Sequence, residues 1–163
     1  MKKLILAALA VISFACLCKA QDTKAPYKAG YSSNFTIADQ SYVNKILTLW
    51  KDYEENALDR HLAWFADTVS ISWMTGQTVK GKTENLSGAK AFRGSQSNLK
   101  ISLDASVSLK SDRGDNVVCV WGTEEYTDQS GKKVVSHVQE VWGFNKDGKI
   151  DIMLQYGRTG GTM

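Results

Sequence analysis

The chain has 163 residues, 43% of them hydrophobic, and a formal net charge of +3 from 20 basic and 17 acidic side chains. Three of the lysines and no acid lie within residues 1–20, so the rest of the chain is formally neutral. A neutral chain without a Lys/Arg-rich run lacks the electrostatic footprint of a nucleic-acid-binding protein, and about 143 residues suffice for one domain with a real core.

Residues 1–20 have the pattern of a secretory signal peptide. Two lysines precede an apolar run over residues 4–17, which is too short to span a bilayer. Small residues ahead of Gln21 fit a cleavage site, so we expect an exported protein, periplasmic or secreted, with no membrane span. Cys16, which follows Ala15, leaves a lipid-anchored alternative open.

Residues 21–35 are polar, contain the only proline and show no periodicity, which predicts a flexible tether. The folded domain is expected over residues 36–158, followed by a tail over 159–163. Thr36 and Asp39 fit a helix N-cap pair. Apolar side chains at helical spacing then predict one amphipathic helix of about five turns: Val43, Ile46, Leu47, Trp50 and Tyr53.

Shorter elements follow this helix. Three apolar residues at helical spacing predict a second short helix: Leu58, Leu62 and Phe65. Alternation with serines predicts a half-buried strand that contains Val69, Ile71 and Trp73. Residues 76–81 predict a loop or a short edge strand, and residues 84–92 a third short helix.

The second half of the chain has the pattern of four strands. Alternating apolar and polar residues over 99–110 predict a long strand with one wet face. Turn residues separate it from strands predicted over 117–126, 134–144 and 150–156. Helices followed by a meander of antiparallel strands indicate an α+β fold in which the helices cover one face of a curved sheet.

Most chemical motifs are absent from the chain. It has no phosphate-binding glycine loop, no dinucleotide fingerprint and no Gly-x-Ser-x-Gly elbow, so we expect no cofactor. After residue 20 the soft or borderline metal ligands are His61, His137 and Cys119, and their scatter predicts no metal site. Both histidines are expected at the surface. Cys119 is expected to be a small buried hydrophobe without a disulfide partner.

The strand predicted over residues 134–144 carries a carboxylate on its apolar face. Alternation points Glu140 toward the helices together with Val138 and Trp142, and points His137 away from them. Burying an unpaired carboxylate costs several kcal/mol, so Glu140 must be paired, protonated or beside a wet cavity. Each case predicts a pocket, although a Glu140 paired to a core group would be purely structural.

The last strand has two possible orientations. Alternation separates Met153 and Gln155 from a second set of residues on the other face. By apolarity alone, that second set faces the core: Ile150, Ile152, Leu154 and Tyr156.

Three short stretches carry a resemblance to a known family: Phe65-Ala66-Asp67, Val141-Trp142-Gly143-Phe144 and Asp147-Gly148-Lys149-Ile150. With this order of elements, residues 37–158 resemble the nuclear transport factor 2-like superfamily, particularly its SnoaL-like polyketide cyclase and ketosteroid isomerase branches. The resemblance implies a cystatin-like fold, a cone-shaped curved antiparallel sheet wrapped around the N-terminal helices. It also implies a homodimer through the outer sheet face.

The resemblance assigns positions in the cone. Glu140 falls where the isomerases have the carboxylic acid of their oxyanion hole, which is kept neutral. Met153 and Gln155 turn into the cavity, against the apolarity count.

Two departures weigh against the isomerase mechanism. The general base of the isomerases falls at Trp73, which cannot take a proton. Their helix-borne tyrosine falls near Leu49 or Trp50, which leaves Tyr53 one turn further on. Glu140 is therefore the candidate general acid or base, with Tyr53 as a second candidate.

These observations leave three hypotheses for function. The first is binding of a small, largely apolar molecule in the cone without a complete isomerase site. The second is a lyase, isomerase or cyclase that uses Glu140 as general acid or base, and the third is a dimeric module with a filled cone. For the first two, the predicted pocket residues are Trp50, Tyr53, Trp73, Glu140, Trp142, Met153 and Gln155, although the tryptophans would also suit plain core packing.

Overall fold

A computed structural model describes residues 26–160 of the chain. The predicted signal peptide, the start of the tether and residues 161–163 lie outside the described part. The chain divides between Tyr31 and Ser32, and residues 26–31 contain no helix or strand.

Residues 32–160 form two helices, one 3₁₀ turn and one mixed seven-stranded sheet. The elements are β1 (Phe35–Ile37), α1 (Gln40–Glu54), the 3₁₀ turn (Leu62–Trp64), β2 (Phe65–Ser72), β3 (Thr78–Lys80), α2 (Lys82–Gly94), β4 (Ser97–Ser111), β5 (Asn116–Thr127), β6 (Lys133–Phe144) and β7 (Ile150–Thr159). The strand order is β1-β4-β5-β6-β7-β2-β3, and only the β2/β7 pair is parallel. This arrangement confirms the predicted α+β cone with helices inside a curved sheet.

The first helix begins later than the sequence pattern suggested. Asp39 alone is its N-cap, and the Asp39 side chain accepts a hydrogen bond of 2.7 Å from the Ser41 amide. Thr36, the other half of the predicted cap pair, lies in β1 opposite Lys110. The short strand β1 had no alternating pattern long enough to reveal it.

The predicted second helix around residues 58–65 was wrong in extent. Only Leu62–Trp64 forms a single 3₁₀ turn, and Phe65 already begins β2. The third helix was correctly predicted and is longer than expected, because Gly88 lies within α2 without interrupting it.

The prediction of one apolar face for β4 was wrong. A register shift between Leu103 and Ala105 marks a β-bulge, after which Ser106 and Ser108 lie opposite Val120 and Val118 on the core side. An extra residue at a bulge moves every later side chain to the other face. Val107 and Leu109 consequently face outward, and Leu103 is 45% exposed.

The alternation predicted for β6 is observed, with residues 136, 138, 140, 142 and 144 buried. For β7, apolarity alone predicted a core-facing set of which only Ile150 is buried. A register shift between Gly143 and Phe144 reverses the two faces of β7 after Ile150. Met153 is buried as the resemblance implied, whereas Ile152 and Tyr156 are 42% and 55% exposed. The predicted dimer through this outer face stays a prediction.

The two halves of α1 have different surroundings. Val43 and Ile46 are fully buried in a packed core with Phe144 and Ile150. The second half, from Leu49 onward, faces a cavity. Within residues 32–160 the closed end of the cone is therefore filled, and open space remains toward the C-terminal end of α1.

Gly122 makes room for the helix at this transition. A Cβ atom there would clash with the Ser102 carbonyl oxygen and lie 2.8 Å from Cζ3 of Trp50. A glycine at this position of β5 therefore lets the Trp50 indole approach the strand closely.

We expect Gly122→Ala to lower the free energy of unfolding by about 1–3 kcal/mol, because the added methyl overpacks Trp50 and the neighbouring strand. Urea denaturation measures this change. The control is Gly88→Ala in α2, where a Cβ meets nothing within 4 Å and better helix propensity should add about 0.5–1 kcal/mol. Equal effects of the two substitutions would contradict the assigned role of Gly122.

Candidate functional site

A cavity of about 130 Å³ lies between α1, α2 and the inner face of the sheet. Most of its wall is apolar. Its aromatic lining consists of Trp50, Tyr53, Phe65, Trp73, Phe92 and Trp142. The polar side chains that reach it are Asp52, Lys82, Asn85, Glu124, Glu140 and Gln155.

Glu140 is the most strongly bound polar group of the cavity. It is 5% exposed and accepts three hydrogen bonds. Trp50 Nε1 and Trp142 Nε1 donate to Oε2 at 2.7 and 2.9 Å, and Gln155 Nε2 donates to Oε1 at 3.0 Å. These donors come from α1, β6 and β7, so one carboxylate joins three elements.

Two opposing effects act on the protonation of Glu140. Burial raises its pKa above the ordinary value for glutamate, and the hydrogen bonds from Trp50, Gln155 and Trp142 act in the opposite direction. Burial prevails in direction, so Glu140 takes up a proton more readily than an exposed glutamate does.

Glu124 is a second buried carboxylate, which the sequence analysis missed. It lies in β5 opposite Ser136, on the inner face of the sheet, and is 8% exposed. Burial, followed by the nearby charge of Glu140, raises its pKa to about 7. Alternation in β5 with Val118 and Val120 would have identified it, because the same rule that placed Glu140 applies there.

Tyr53, the second candidate, lines the cavity but its hydroxyl is engaged. The hydroxyl donates to Gln96 Oε1 at 2.9 Å, and the Arg93 guanidinium lies 6.0 Å from the ring centroid. Burial, followed by the Glu124 charge, raises the pKa of Tyr53 well above its ordinary value. Tyr53 is therefore a poor proton donor at neutral pH.

The cavity is bordered by an ion-pair cluster at the end of α1. Asp52 is 2% exposed and pairs with Arg60 Nη1 at 2.9 Å and with His61 Nδ1 at 2.5 Å. His61 also stacks on Trp64 at a centroid distance of 4.1 Å. The expectation of a surface His61 was thus incomplete, because a contact across nine residues ties this ring to a buried acid.

The structure places all seven predicted pocket residues on the cavity wall, including Trp73 and Met153. Sequence reasoning missed Glu124, Asp52 and the contribution of α2 through Leu86, Ala89 and Phe92.

Two further residues, His137 and Cys119, were assigned roles from the sequence. His137 lies on the outer face, where its Nδ1 is 3.1 Å from Thr123 Oγ1. Cys119 is half-buried on the same face, and burial raises the pKa of its thiol. Between residues 26 and 160, no group of three His, Cys, Asp or Glu side chains is arranged to hold a metal ion. None of the helices described there is long and apolar enough to cross a membrane.

The raised pKa of Glu124 makes stability depend on pH. The folded state holds the Glu124 proton up to about pH 7, whereas 4.5 is the ordinary value, so stability falls as pH rises through this window. At about 1.4 kcal/mol per pKa unit the loss is on the order of 3 kcal/mol.

We therefore expect Glu124→Gln to be more stable than the wild type at pH 8, by up to about 3 kcal/mol, and nearly equal to it at pH 4.5. Chemical denaturation at the two pH values measures this. Glu125→Gln is the matched control, because Glu125 is the exposed neighbour in β5. A Glu124→Gln effect of the same size at both pH values would contradict the buried, protonated state.

No family model matches the chain. The search of curated proteins also returned no match. Solved structures do match. The epoxide hydrolase/cyclase-like enzyme SalBIII, from pyran ring formation in the polyether salinomycin, has a TM-score of 0.60 and 16% identity over 73% of this chain and 92% of its own.

Two mycobacterial structures are similar to the same extent. Rv0760c from Mycobacterium tuberculosis, in complex with estradiol-17β-hemisuccinate, has a TM-score of 0.59 and 18% identity over 71% of this chain and 92% of its own. The Δ5-3-ketosteroid isomerase from a Mycobacterium species has 0.58 and 15%, over 73% and 98%. Further matches are described as NTF2-like or as having a cystatin-like fold. The chain therefore has the nuclear transport factor 2-like fold.

Proposed function

We propose that this protein binds a small, largely apolar molecule in the cavity between α1, α2 and the sheet. The observation that carries the proposal is an apolar, aromatic-lined space with a buried Glu140 in its wall. An engineered apolar cavity of about 150 Å³ suffices to hold benzene. A space of about 130 Å³ therefore favours a single ring or a short branched chain with one polar group.

The polar groups of the wall support binding better than they support a ketosteroid isomerase site. Trp73 lines the cavity at the position where that mechanism needs a base, and its indole neither accepts nor releases a proton at neutral pH. The Tyr53 hydroxyl already donates to Gln96. The cavity also counts against the hypothesis of a completely filled cone.

Acid–base catalysis is the second candidate function, and Glu124 is the observation that favours it. Two carboxylates with raised pKa values share one cavity, and the pKa of Glu124 is about 7. A general acid or base works best when its pKa lies near the working pH. The fold also occurs in the enzymes SalBIII and ketosteroid isomerase.

A thermal-shift screen of single-ring compounds with one polar substituent tests the binding proposal. At a concentration 100 times its Kd a ligand adds about 2.7 kcal/mol, which raises Tm by several degrees. Ala89→Phe should abolish the shift because Ala89 lines the cavity, whereas Ala91→Phe on the exposed side of α2 should keep it. Shifts that survive Ala89→Phe, or no shift for any compound, would contradict binding in this cavity.

Equal affinity for wild type and Glu140→Gln would remove Glu140 as a recognition group.

Isomerisation of 3-cyclohexen-1-one to its conjugated isomer, followed by NMR, tests the catalytic candidate. One carboxylate would remove the proton between the carbonyl and the double bond, and a protonated carboxyl would return one at the far carbon. We expect loss of either carboxylate, in Glu124→Gln or Glu140→Gln, to reduce the rate about 100-fold, with Glu125→Gln as the control. A rate that is unchanged in both variants, or absent in wild type, excludes this reaction.

A further inference from the structure

We propose that the ligand carries a protonated amine on its small apolar body, and that the carboxylate of Glu124 binds this ammonium group. The inference rests on the proposed function, binding in the cavity, and it specifies the chemical class of the ligand.

The carboxylate of Glu124 has no partner among the described residues. Glu124 is 8% exposed and lines the cavity. No hydrogen bond or ion pair joins its carboxylate to any residue between 26 and 160. Its oxygens keep some contact with open space, because neither of them is among the fully enclosed polar atoms that lack a hydrogen bond. A buried carboxylate in this position requires a proton or a donor from the cavity.

Five other titratable groups face Glu124 or line the cavity. They are Asp52 and Tyr53 of α1, Lys82 of α2, Tyr126 of β5 and Glu140 of β6. Lys82 is the only cation of this set, and its Nζ pairs with Asp67 Oδ1 at 2.5 Å. No other Lys, Arg or His of residues 26–160 lines the cavity.

This charge balance selects the ligand class. Asp52 is paired with the Arg60 guanidinium, and the oxygens of Glu140 are satisfied by three neutral donors, which leave its charge in place. Glu124 has no compensation. A ligand carboxylate would add a further negative charge to a low-dielectric space, whereas an ammonium would form an ion pair with an existing carboxylate.

The aromatic rings of the cavity wall are compatible with a bound ammonium. The N–H groups of Trp50 and Trp142 are both directed to Glu140 Oε2. Their rings, with those of Trp73 and Phe65, line a cavity only wide enough for a small molecule. Aromatic rings attract cations through their negative faces, most strongly when water is excluded.

Proton release distinguishes this class of ligand from others. At pH 7 Glu124 is about half protonated, since its pKa is about 7. An ammonium that binds the carboxylate form therefore expels about half a proton per ligand. A neutral alcohol that donates a hydrogen bond to Glu124 binds more weakly than an ammonium. A ketone accepts from the protonated form of Glu124, so its binding is accompanied by proton uptake.

Isothermal titration calorimetry of the full chain with four probes that share a six-membered ring tests the proposal: cyclohexylamine, cyclohexanol, cyclohexanone and cyclohexanecarboxylate. Titration at pH 7 in two buffers with different ionisation enthalpies gives the proton count. We expect cyclohexylamine to bind most tightly, with release of about half a proton at pH 7 and close to none at pH 8.5, and the carboxylate not to bind.

Glu124→Gln should weaken cyclohexylamine binding at least about tenfold and abolish proton release, because it removes one partner of a buried charge pair. Glu125→Gln should change neither, since it removes a charge from the exposed neighbour in β5. Cyclohexanol binding as tightly as the amine, or proton release that persists in Glu124→Gln, would overturn the ammonium assignment and leave cavity binding intact. If none of the four probes binds, or if all bind equally to Ala89→Phe, the proposed function fails as well.

Discussion

The buried Glu140 carboxylate determines the arrangement of the open half of this fold. Its three N–H donors come from α1, from its own strand β6 and from β7, so the helix and two strands have one common acceptor. Trp50 reaches that acceptor only because Gly122 leaves space beneath the indole. A salt bridge could have compensated Glu140 equally well, but neutral donors leave its negative charge in place. That remaining charge contributes to the raised pKa of Glu124.

The charged side chains described at this end of the cone have partners within the protein, with the exception of Glu124. Asp52 has Arg60 and His61, and the Arg93 guanidinium bonds the carbonyl oxygens of Tyr53, Glu54 and Gln96. These contacts hold the C-terminal end of α1 against the end of α2. Glu124 differs from these groups, because no hydrogen bond or ion pair joins its carboxylate to any side chain of residues 26–160 and the charge of Glu140 lies nearby. A group that is costly to bury and has no internal partner is typical of a functional site rather than of a structural one.

Much of the fold was predictable because its signals are local. Helical spacing located α1, alternation located β4 to β7, and the short motifs around Phe65 and Asp147 indicated the superfamily fold.

The errors in the predicted strand faces occurred where one extra residue reverses the two faces of a strand. The bulge after Leu103 and the shift after Gly143 exchange the two faces without changing the composition of the strand, so alternation alone does not detect them. Pairings such as Asp52 with His61 depend on the path of the turns over residues 55–61, which have no periodic pattern. Glu124 was predictable, since its strand was correctly placed and alternation with Val118 and Val120 puts it on the inner face.

The parallel pairing of β2 with β7 also bears on how the cavity comes into being during folding. Ser70 and Ile152 are neighbours in the sheet although about eighty residues separate them along the chain. The β2/β3 hairpin has no other strand to join, so it attaches to the meander only through β7. Closing so long a loop is entropically slow compared with forming the successive hairpins of β4 to β7. Of the strands between residues 32 and 160, β7 is the last in chain order, and it carries Met153 and Gln155 into the cavity wall. We therefore expect the cavity wall to be completed late in folding, and until β7 has paired Glu140 lacks the Gln155 donor.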